Sequence, residues 1–241
     1  MTTSRPDLGT ILSVWAHPDD ESYCCGGLMA DAVRNGQRVV CISATRGELG
    51  STDETRWPPG PQLAEVRTRE LEECLRILGV TEHHWLDYPD GGCADVDDAE
   101  AVARIRAIAE EVQPDTVLTF GPDGATWHPD HIAVSRWATE AVAGTKASVH
   151  YQATTPEWVD FMAGFVDPSE VMMEDKEVPA FPRSALSIFT HLSGDLLDMK
   201  YDAMICQESQ IGPFLSLLGP DNYRQMLVEE SFRAAADKPV G

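Results

Sequence analysis

The sequence predicts an α/β protein with an open, mostly parallel sheet flanked by helices and a helical C-terminal elaboration. Short runs rich in β-branched residues alternate with segments whose apolar residues recur at helical spacing, the pattern of a parallel sheet covered by helices. At 43% hydrophobic and 24% charged residues, the 241-residue chain has a globular composition and enough apolar residues for a large core. No internal repeat or clear linker interrupts it, so we expect one domain over residues 1–241.

The first 80 residues contain two predicted strand–helix pairs. They are a strand over 10–16, a helix over about 21–34, a strand over 38–43 and a helix over 63–78. Asn35-Gly36 and Gly79 are helix-ending signals, and leucine and valine recur at helical spacing in the second helix. The stretch 45–61 carries three glycines and three prolines. We expect a long loop there, and long loops in compact domains are commonly functional.

The alternation continues to about residue 155 and then becomes less regular. The predicted elements are a strand over 83–86, a helix over 98–112, a strand over 116–120, a helix beginning near Pro129, a strand over 148–152 and helices over 193–207 and 222–235. Proline suits the first position of a helix, which supports the start at Pro129. A turn over 89–92 and a loop over 121–127 follow two of these strands.

The charge and the cysteines limit the partners and the compartment. A net charge of −22, from 18 basic and 40 acidic residues, argues against nucleic acid and anionic membranes as partners. No apolar run approaches the roughly 18 residues of a membrane-spanning helix, and the first nine residues lack a signal-peptide pattern. The six cysteines form no C-x-x-C pair. We therefore expect a cytoplasmic protein without disulfides.

Two motifs rich in histidine and aspartate follow predicted strands. His17-Pro18-Asp19-Asp20-Glu21 comes directly after the first strand, and His128-Pro129-Asp130-His131 follows the strand over 116–120. The active crevice of an open parallel sheet lies beyond the carboxyl ends of its strands, so both motifs should reach it. Three of the seven histidines lie in these two motifs.

The spacing inside the motifs suits a metal site. His17 and Asp20 are three residues apart, as are His128 and His131, so each pair can share one face of a helical turn. A catalytic zinc takes three protein ligands, which two histidines and one aspartate would supply, leaving one histidine and two aspartates for proton transfer. The same ligand types occur in non-haem iron enzymes, and aspartates also cap helices without any metal. A non-catalytic metal- or sugar-binding protein is a further alternative.

Other common classes of α/β enzyme lack their motifs here. No G-x-G-x-x-G follows the first strand, and neither a P-loop nor a G-x-S-x-G nucleophile elbow occurs in the sequence. The tandem cysteines Cys24 and Cys25 lie inside a predicted helix, which argues against a nucleophilic role.

The two motifs, in this order and spacing, resemble those of the PIG-L/LmbE family of metal-dependent N-deacetylases, over residues 11–142 at least. The resemblance implies a Rossmann-like fold, a zinc cofactor, with Fe²⁺ or another divalent ion as alternatives, and an N-acetylglucosaminyl or other small N-acyl amine substrate. It implies His17, Asp20 and His131 as metal ligands. It further implies Asp19 as the general base, and His128 as the group that stabilises the intermediate and protonates the leaving amine. Asp130 resembles the carboxylate that orients the His128 imidazole.

The resemblance also suggests substrate-binding residues, each with a plainer alternative. Glu48 lies in a loop placed as in the family, although surface salt bridging would also explain it. Arg67 matches a sugar-contacting arginine, or alternatively pairs with Glu70 on a helix surface. Asp90 matches an aspartate that binds sugar hydroxyls, yet a turn would also favour aspartate. Trp127 stands where the family usually has glycine, and it would either stack on a sugar or pack structurally.

The resulting prediction is a zinc-dependent amidohydrolase. Attack of a metal-bound water would remove an N-acetyl group from a small amino-sugar conjugate and release acetate and a free amine. A thiol S-conjugate amidase with the same metal machinery is the principal alternative. Gln207 stands where the resemblance implies a histidine. The sequence therefore predicts the identity of the substrate less closely than it predicts the metal-dependent reaction. A homo-oligomer is compatible with the sequence.

Overall fold

The computed structural model describes residues 7–173 and 176–235, which form a seven-stranded sheet with helices packed against it. The strands are β1 Ile11–Trp15, β2 Val39–Ser43, β3 Glu82–Trp85, β4 Thr116–Thr119, β5 Ser148–Gln152, β6 Ile188–His191 and β7 Glu229–Ala234. Their order in the sheet is β3-β2-β1-β4-β5-β7-β6. The first five strands pair in parallel, while β7 pairs antiparallel with β5 and β6. The predicted open, mostly parallel sheet is therefore confirmed.

Eight α-helices accompany these strands within the described residues. They are α1 Asp20–Arg34, α2 Pro61–Leu78, α3 Asp98–Val112, α4 Gly124–Trp127, α5 Pro129–Ala141, α6 Pro156–Met162, α7 Gly194–Ile205 and α8 Glu208–Met226. Helix α7 packs against α1 and α2, and α3 packs against α5. Every residue of β1, β2 and β4 is buried, as expected for central parallel strands covered on both faces. Of the described helices, none has the length and apolarity that a membrane crossing requires.

The C-terminal part differs from the prediction. The helix predicted over 222–235 is wrong, because α8 ends at Met226 and Glu229–Ala234 is strand β7. Alanine and arginine near the end of this segment favour a helix locally, but pairing with β5 and β6 decides the outcome and buries Phe232 completely. The C-terminal elaboration therefore contains two antiparallel strands in addition to its helices.

Helix α8 is irregular for reasons visible in its sequence. Pro213 and Pro220 lie within it, and Gly219 has a φ of 71°, so the helix breaks there and resumes at Pro220. Pro213 cannot donate a hydrogen bond to the carbonyl group of Ser209, and that carbonyl instead accepts one from the hydroxyl group of Thr52 at 2.6 Å. This contact ties the start of α8 to the long loop after β2.

Helix α1 contains a break that the C-terminal elements stabilise. Cys25 has non-helical angles, and the carboxylate of Glu230 on β7 accepts hydrogen bonds from the N–H groups of Gly27 and Leu28, both at 2.7 Å. The ammonium group of Lys200 on α7 lies 2.8 Å from the same carboxylate, and both side chains are buried. The helix that carries the first motif is therefore fixed to the C-terminal part of the fold.

Candidate active site

The two predicted motifs meet at the carboxyl ends of β1 and β4. These strands are parallel neighbours, with Ile11 opposite Thr116 and Ser13 opposite Leu118. The first motif follows β1 and starts α1, and the second starts α5 after β4. The structure therefore brings together all six residues predicted as ligands or proton-transfer groups, namely His17, Asp19, Asp20, His128, Asp130 and His131.

Three of these side chains surround one small space. Nδ1 of His17 lies 3.1 Å from Nε2 of His131. One oxygen of Asp20, Oδ2, is 3.6 Å from His17 Nδ1, and the other, Oδ1, is 3.6 Å from His131 Nε2. The two nitrogens are about as close as two ligand atoms on one ion with bonds of about 2.0–2.2 Å, and Asp20 approaches each ring with a different oxygen. His17, Asp20 and His131 are the residues that the sequence predicts as metal ligands.

The hydrogen bonds of the two rings leave their lone pairs facing this space. Nδ1 of His131 lies 2.9 Å from the carbonyl oxygen of Gly124, so it carries the proton and leaves Nε2 free. Nε2 of His17 lies 3.3 Å from Oδ2 of Asp130 and 3.1 Å from Oδ1 of Asp90, which accept its proton. If both rings were neutral with their protons on these outer nitrogens, two lone pairs would meet at 3.1 Å, so either a proton, which makes His17 an imidazolium, or a metal cation must lie between them. This donor set therefore fits a divalent metal ion, with Asp130 as the carboxylate behind a ligand histidine.

The protonation preferences also favour a cation at this position. Burial opposes a charge on His17, but hydrogen bonds with Asp130, Asp20 and Asp90 raise its pKa well above 6.5. Burial lowers the pKa of His131 to about 4. Burial disfavours the carboxylate of Asp20, yet the charge of His131 and the hydrogen bonds of His17 lower its pKa to about 2. The side chains thus stabilise one positive charge beside an ionised Asp20.

The carboxylate of Asp130 occupies a different position from the predicted one. Its oxygens accept hydrogen bonds from the N–H groups of Gly91 at 2.8 Å and Cys93 at 3.0 Å, and Oδ2 also faces His17. The prediction assigns this carboxylate to the His128 ring, whereas it is the backbone N–H of Asp130 that contacts that ring. The difference arises because the turn after β3 binds the carboxylate and directs it towards His17.

His128 is arranged to present a proton to the cavity. Its Nδ1 accepts the hydrogen bond from the N–H of Asp130 at 3.1 Å, so the neutral ring carries its proton on Nε2. Burial and the charge of His17 lower the pKa of His128. The ring stacks on His131 with centroids 4.7 Å apart, and the residue lines the cavity. Its position suits a donor of one proton to a leaving group.

Asp19 lies beside a buried arginine. Nη2 of Arg67 is 3.2 Å from Oδ2 of Asp19, and the same guanidinium group donates to the carbonyl oxygens of Pro18 at 2.6 Å and Gly47 at 2.9 Å. Burial raises the pKa of Asp19 to about 7, while the positive charge of Arg67 acts in the opposite direction. A carboxylate with a pKa near neutrality is suited to accept a proton.

Glu21 has a role that sequence reasoning missed. It is fully buried, and its Oε2 accepts a hydrogen bond from the backbone N–H of Asp19 at 3.0 Å. Asp19 has a φ of 122°, a conformation that residues other than glycine rarely adopt, so this bond stabilises a strained position. Glu21 is the last residue of the first motif, and this position in the sequence could have indicated a role in the site. Gln207 lies behind Glu21 and donates to Ser22 Oγ at 2.7 Å.

The loop after β2 positions Arg67 and Asp90. Gly47 has a φ of 66°, and a Cβ atom there would lie 2.2 Å from Nη1 of Arg67, so glycine is required. Glu48 accepts a hydrogen bond from the N–H of Asp90 at 2.9 Å, and Leu49 N–H donates to Oδ2 of Asp90 at 2.8 Å. Arg67 and Asp90 line the cavity, as predicted for substrate-binding residues, but Glu48 does not. Its carboxylate instead bonds to the turn that carries Asp90.

Trp127 does not line the cavity either. Its indole N–H lies 3.3 Å from the carbonyl oxygen of Glu177, and Nζ of Lys176 lies 4.0 Å from its ring centroid. The predicted stacking on a sugar is therefore not supported, and the packing alternative describes its position. Trp127 has a φ of 61°, in the left-handed region that favours glycine. This explains why a glycine is the expected residue at this position.

A large cavity extends from the ligand residues. Its volume is about 700 Å³, which is in the range of pockets that hold drug-sized ligands. Polar and charged groups near the ligands give way to an apolar lining formed mainly by methionine and aromatic side chains. The candidate site is thus a partly open cavity with the histidine and aspartate side chains of the two motifs at one end.

Comparison with known sequences identifies similar proteins. Residues 12–142 match the family described as "PIG-L: GlcNAc-PI de-N-acetylase". A 1D-myo-inositol 2-acetamido-2-deoxy-alpha-D-glucopyranoside deacetylase from Saccharomonospora viridis is 30% identical over 239 residues, covering 88% of this chain and 87% of that one. The enzyme of the same name from Kineococcus radiotolerans is 36% identical over 159 residues. That match covers 55% of this chain and 44% of the relative, so it spans less than half of the relative's length.

Comparison with solved structures confirms the fold. The N,N'-diacetylchitobiose deacetylase from Pyrococcus horikoshii superimposes with a TM-score of 0.63 at 21% identity, covering 95% of this chain and 84% of that one. At this identity the likeness concerns the fold. The α/β architecture inferred from the sequence is therefore shared with a solved deacetylase.

Proposed function

The chain belongs to the PIG-L family, and from this membership we propose that it is a metal-dependent hydrolase that cleaves the amide of an N-acylated amino-sugar conjugate. The observation that carries this proposal is the pair of facing imidazole nitrogens of His17 and His131, 3.1 Å apart, beside the Asp20 carboxylate and at the end of a cavity. Two imidazole nitrogens at this distance share either a proton or a metal ion, and the neighbouring Asp20 carboxylate stabilises a positive charge there.

We assign His17, Asp20 and His131 as the metal ligands. Two imidazoles and one carboxylate are typical of a catalytic zinc site, which supports zinc as the ion. When bound, a divalent ion lowers the pKa of a water molecule and polarises an amide carbonyl group. The carboxylate of Asp130 orients His17 through Nε2, and the carbonyl group of Gly124 orients His131 through Nδ1.

Two residues divide the proton transfers. Asp19 removes the proton of the attacking water, and the charge of Arg67 opposes the protonation of this carboxylate that burial favours. His128 holds a proton on Nε2, because its Nδ1 is occupied by the N–H of Asp130. It donates that proton to the nitrogen of the leaving amine, which would otherwise be expelled as a strong base.

The amine portion of the substrate is a hydroxylated sugar conjugate. Asp90 and Arg67, which line the cavity beside the ligands, supply a carboxylate and a guanidinium group that can bind hydroxyls. The names of the relatives support an N-acetylglucosaminyl compound linked to inositol as the first candidate. All six cysteines are free thiols, which supports the cytoplasm as the compartment.

An assay of amine release tests the proposed function. The protein, stripped of metal and reloaded with Zn²⁺, is incubated with 1-O-(2-acetamido-2-deoxy-glucosyl)-inositol and with N,N'-diacetylchitobiose, and free amine and acetate are quantified. We expect equal amounts of both products, and no release from the metal-free protein. Absence of amide hydrolysis with Zn²⁺, Fe²⁺, Mn²⁺ and Co²⁺ alike would overturn the proposal.

A further inference from the structure

The side of the cavity formed by α6, the segment after it and the end of α8 is mainly apolar, although Glu170 also lines it. We call it the apolar wall, and it consists of Trp158, Met162, Met172, Met173, Val178 and Met226. Five of the eight methionines in the sequence line the cavity as a whole. The N–H group of Met173 donates to the carbonyl oxygen of Thr126 at 2.8 Å, two residues before His128, so the wall reaches the reaction site.

The opposite side of the cavity, the polar side, carries charged and hydrogen-bonding groups together with the apolar residues Leu49, Ile211 and Phe214. Arg67, Asp90, Thr52 and Gln210 lie there, on α2, in the loops after β2 and β3, and at the start of α8. Gln210 donates to the carbonyl oxygen of Gly50 at 3.0 Å, which joins the start of α8 to this side. In the sheet, β2 and β3 lie on one side of β1, whereas β4, β5 and β7 lie on the other. The metal ligands after β1 and β4 are therefore between the polar side and the apolar wall.

This placement determines how the amide substrate is oriented in the cavity. A trans amide carries its amine substituent and its acyl substituent on opposite sides of the C–N bond. If the hydroxylated amine portion contacts Asp90 and Arg67, then the acyl portion extends towards the apolar wall. An acetyl group offers a single methyl group to a wall built from six apolar side chains, and most of that wall would stay in contact with water.

We propose that the preferred substrate carries a linear acyl chain of about six to eight carbons on its amide nitrogen, and that this chain lies along the apolar wall. The inference rests on the proposed function and specifies its substrate class. In the reaction the amide C–N bond breaks, the water oxygen bonds to the acyl carbon, and a fatty carboxylate and a protonated amine leave. Methionine suits this wall because its flexible, polarisable side chain adapts to a flexible alkyl chain.

A chain-length series tests the proposal on the metal-loaded protein. The substrates are glucosaminyl-inositol amides bearing acetyl, butanoyl, hexanoyl or octanoyl groups, together with the methyl and octyl glycosides of N-acetylglucosamine. Burial of one methylene group gains about three- to fourfold in binding. We therefore expect kcat/KM to rise at least tenfold from the acetyl to the hexanoyl compound, and the octyl glycoside to gain less than threefold over the methyl glycoside.

The outcomes separate this proposal from the proposed function. If the acetyl compound is the best of the series, the chain-length proposal is overturned and amide hydrolysis stands. A preference for the octyl glycoside would instead assign the apolar wall to the amine portion and overturn the proposal. If no amide is hydrolysed, the proposed function itself fails.

A pair of matched variants tests the wall directly. Met173 and Leu217 are both exposed apolar residues, at 62% and 51%, but only Met173 lines the cavity. We expect Met173→Asp to lower the ratio of hexanoyl to acetyl kcat/KM by at least threefold, because the acyl chain would pass a charge. Leu217→Asp adds the same charge outside the cavity and should keep the ratio of the wild type. Equal ratios in all three proteins would overturn the assignment of the wall.

Discussion

The carboxylate of Asp19 and the guanidinium group of Arg67 form an ion pair at the mouth of the metal-ligand site, with Oδ2 and Nη2 3.2 Å apart. The arginine is 3% exposed and also donates hydrogen bonds to two backbone carbonyl groups. It therefore fixes the position of the loop that carries Asp19 and also places a positive charge beside the Asp19 carboxylate. The pair places the Asp19 carboxylate next to, but not among, the proposed metal ligands. Its two members therefore affect turnover and metal binding in different ways.

Asp19→Asn should abolish most turnover and leave the metal in place. The amide cannot accept a proton from water, and loss of a general base commonly costs about 10²- to 10⁴-fold in rate. The measurements are the initial rate of amine release and the metal content by mass spectrometry. Asp202→Asn, an exposed change on α7, is the matched control. Metal loss in the Asp19 variant would assign this residue to the ligand set instead.

Arg67→Lys should reduce kcat/KM at least tenfold although it keeps the positive charge. A lysine ammonium group lacks the planar fork that donates to Pro18, Gly47 and Asp19 at once. Metal content should remain at the wild-type value because no ligand contacts Arg67. Arg69→Lys on the exposed face of the same helix is the control. Full activity of the Arg67 variant would show that charge alone suffices.

Removal of a ligand histidine should empty the metal site. His17→Ala and His131→Ala each delete one of the two nitrogens that face each other at 3.1 Å. We expect metal affinity to fall by more than about 100-fold, beyond the loss known for outer-sphere changes. The control is His191→Ala, whose side chain is 60% exposed. Titration of the metal-free proteins with Zn²⁺ and a competing chelator measures the affinity, and wild-type affinity in either variant would contradict the ligand assignment.

Much of this arrangement could be predicted from the sequence because it depends on local signals. Buried apolar strands end directly in the two motifs, so the sheet order alone brings His17 and His131 together. Strand β7 could not be predicted, because Glu229–Ala234 is extended only through its pairing with β5 and β6. The hydrogen-bond partners of the Asp130 carboxylate could not be predicted either. They depend on the path of the turn after β3, which presents the N–H groups of Gly91 and Cys93.

The position of Asp130 leads to a prediction that separates its two conceivable roles. If its carboxylate orients His17, Asp130→Asn should weaken metal binding by about 10- to 100-fold, as outer-sphere substitutions do. At saturating metal the variant should recover more than a third of the wild-type rate, because His128 still receives its hydrogen bond from the backbone N–H of residue 130. Normal metal affinity with a rate that stays low at saturation would favour the role of orienting His128.

His83 on β3 should make the protein less stable in mild acid, and this effect is independent of the active site. Its Nε2 lies 3.1 Å from Oγ of Ser43, and burial lowers its pKa from 6.5 to about 4. Because the folded pKa is the lower one, the unfolded chain binds the proton more readily, and stability is full above pH 6.5 and falls as the pH drops towards 4. From these two pKa values, the loss of unfolding free energy between pH 7.5 and 5.0 is about 2 kcal/mol.

The variant His83→Gln tests this, because glutamine can keep a hydrogen bond to Ser43 but does not titrate. Urea unfolding of both proteins at the two pH values should therefore show a loss about 2 kcal/mol larger for the wild type, since all other groups titrate alike in both. Equal losses would mean that His83 does not have a lowered pKa in the folded protein.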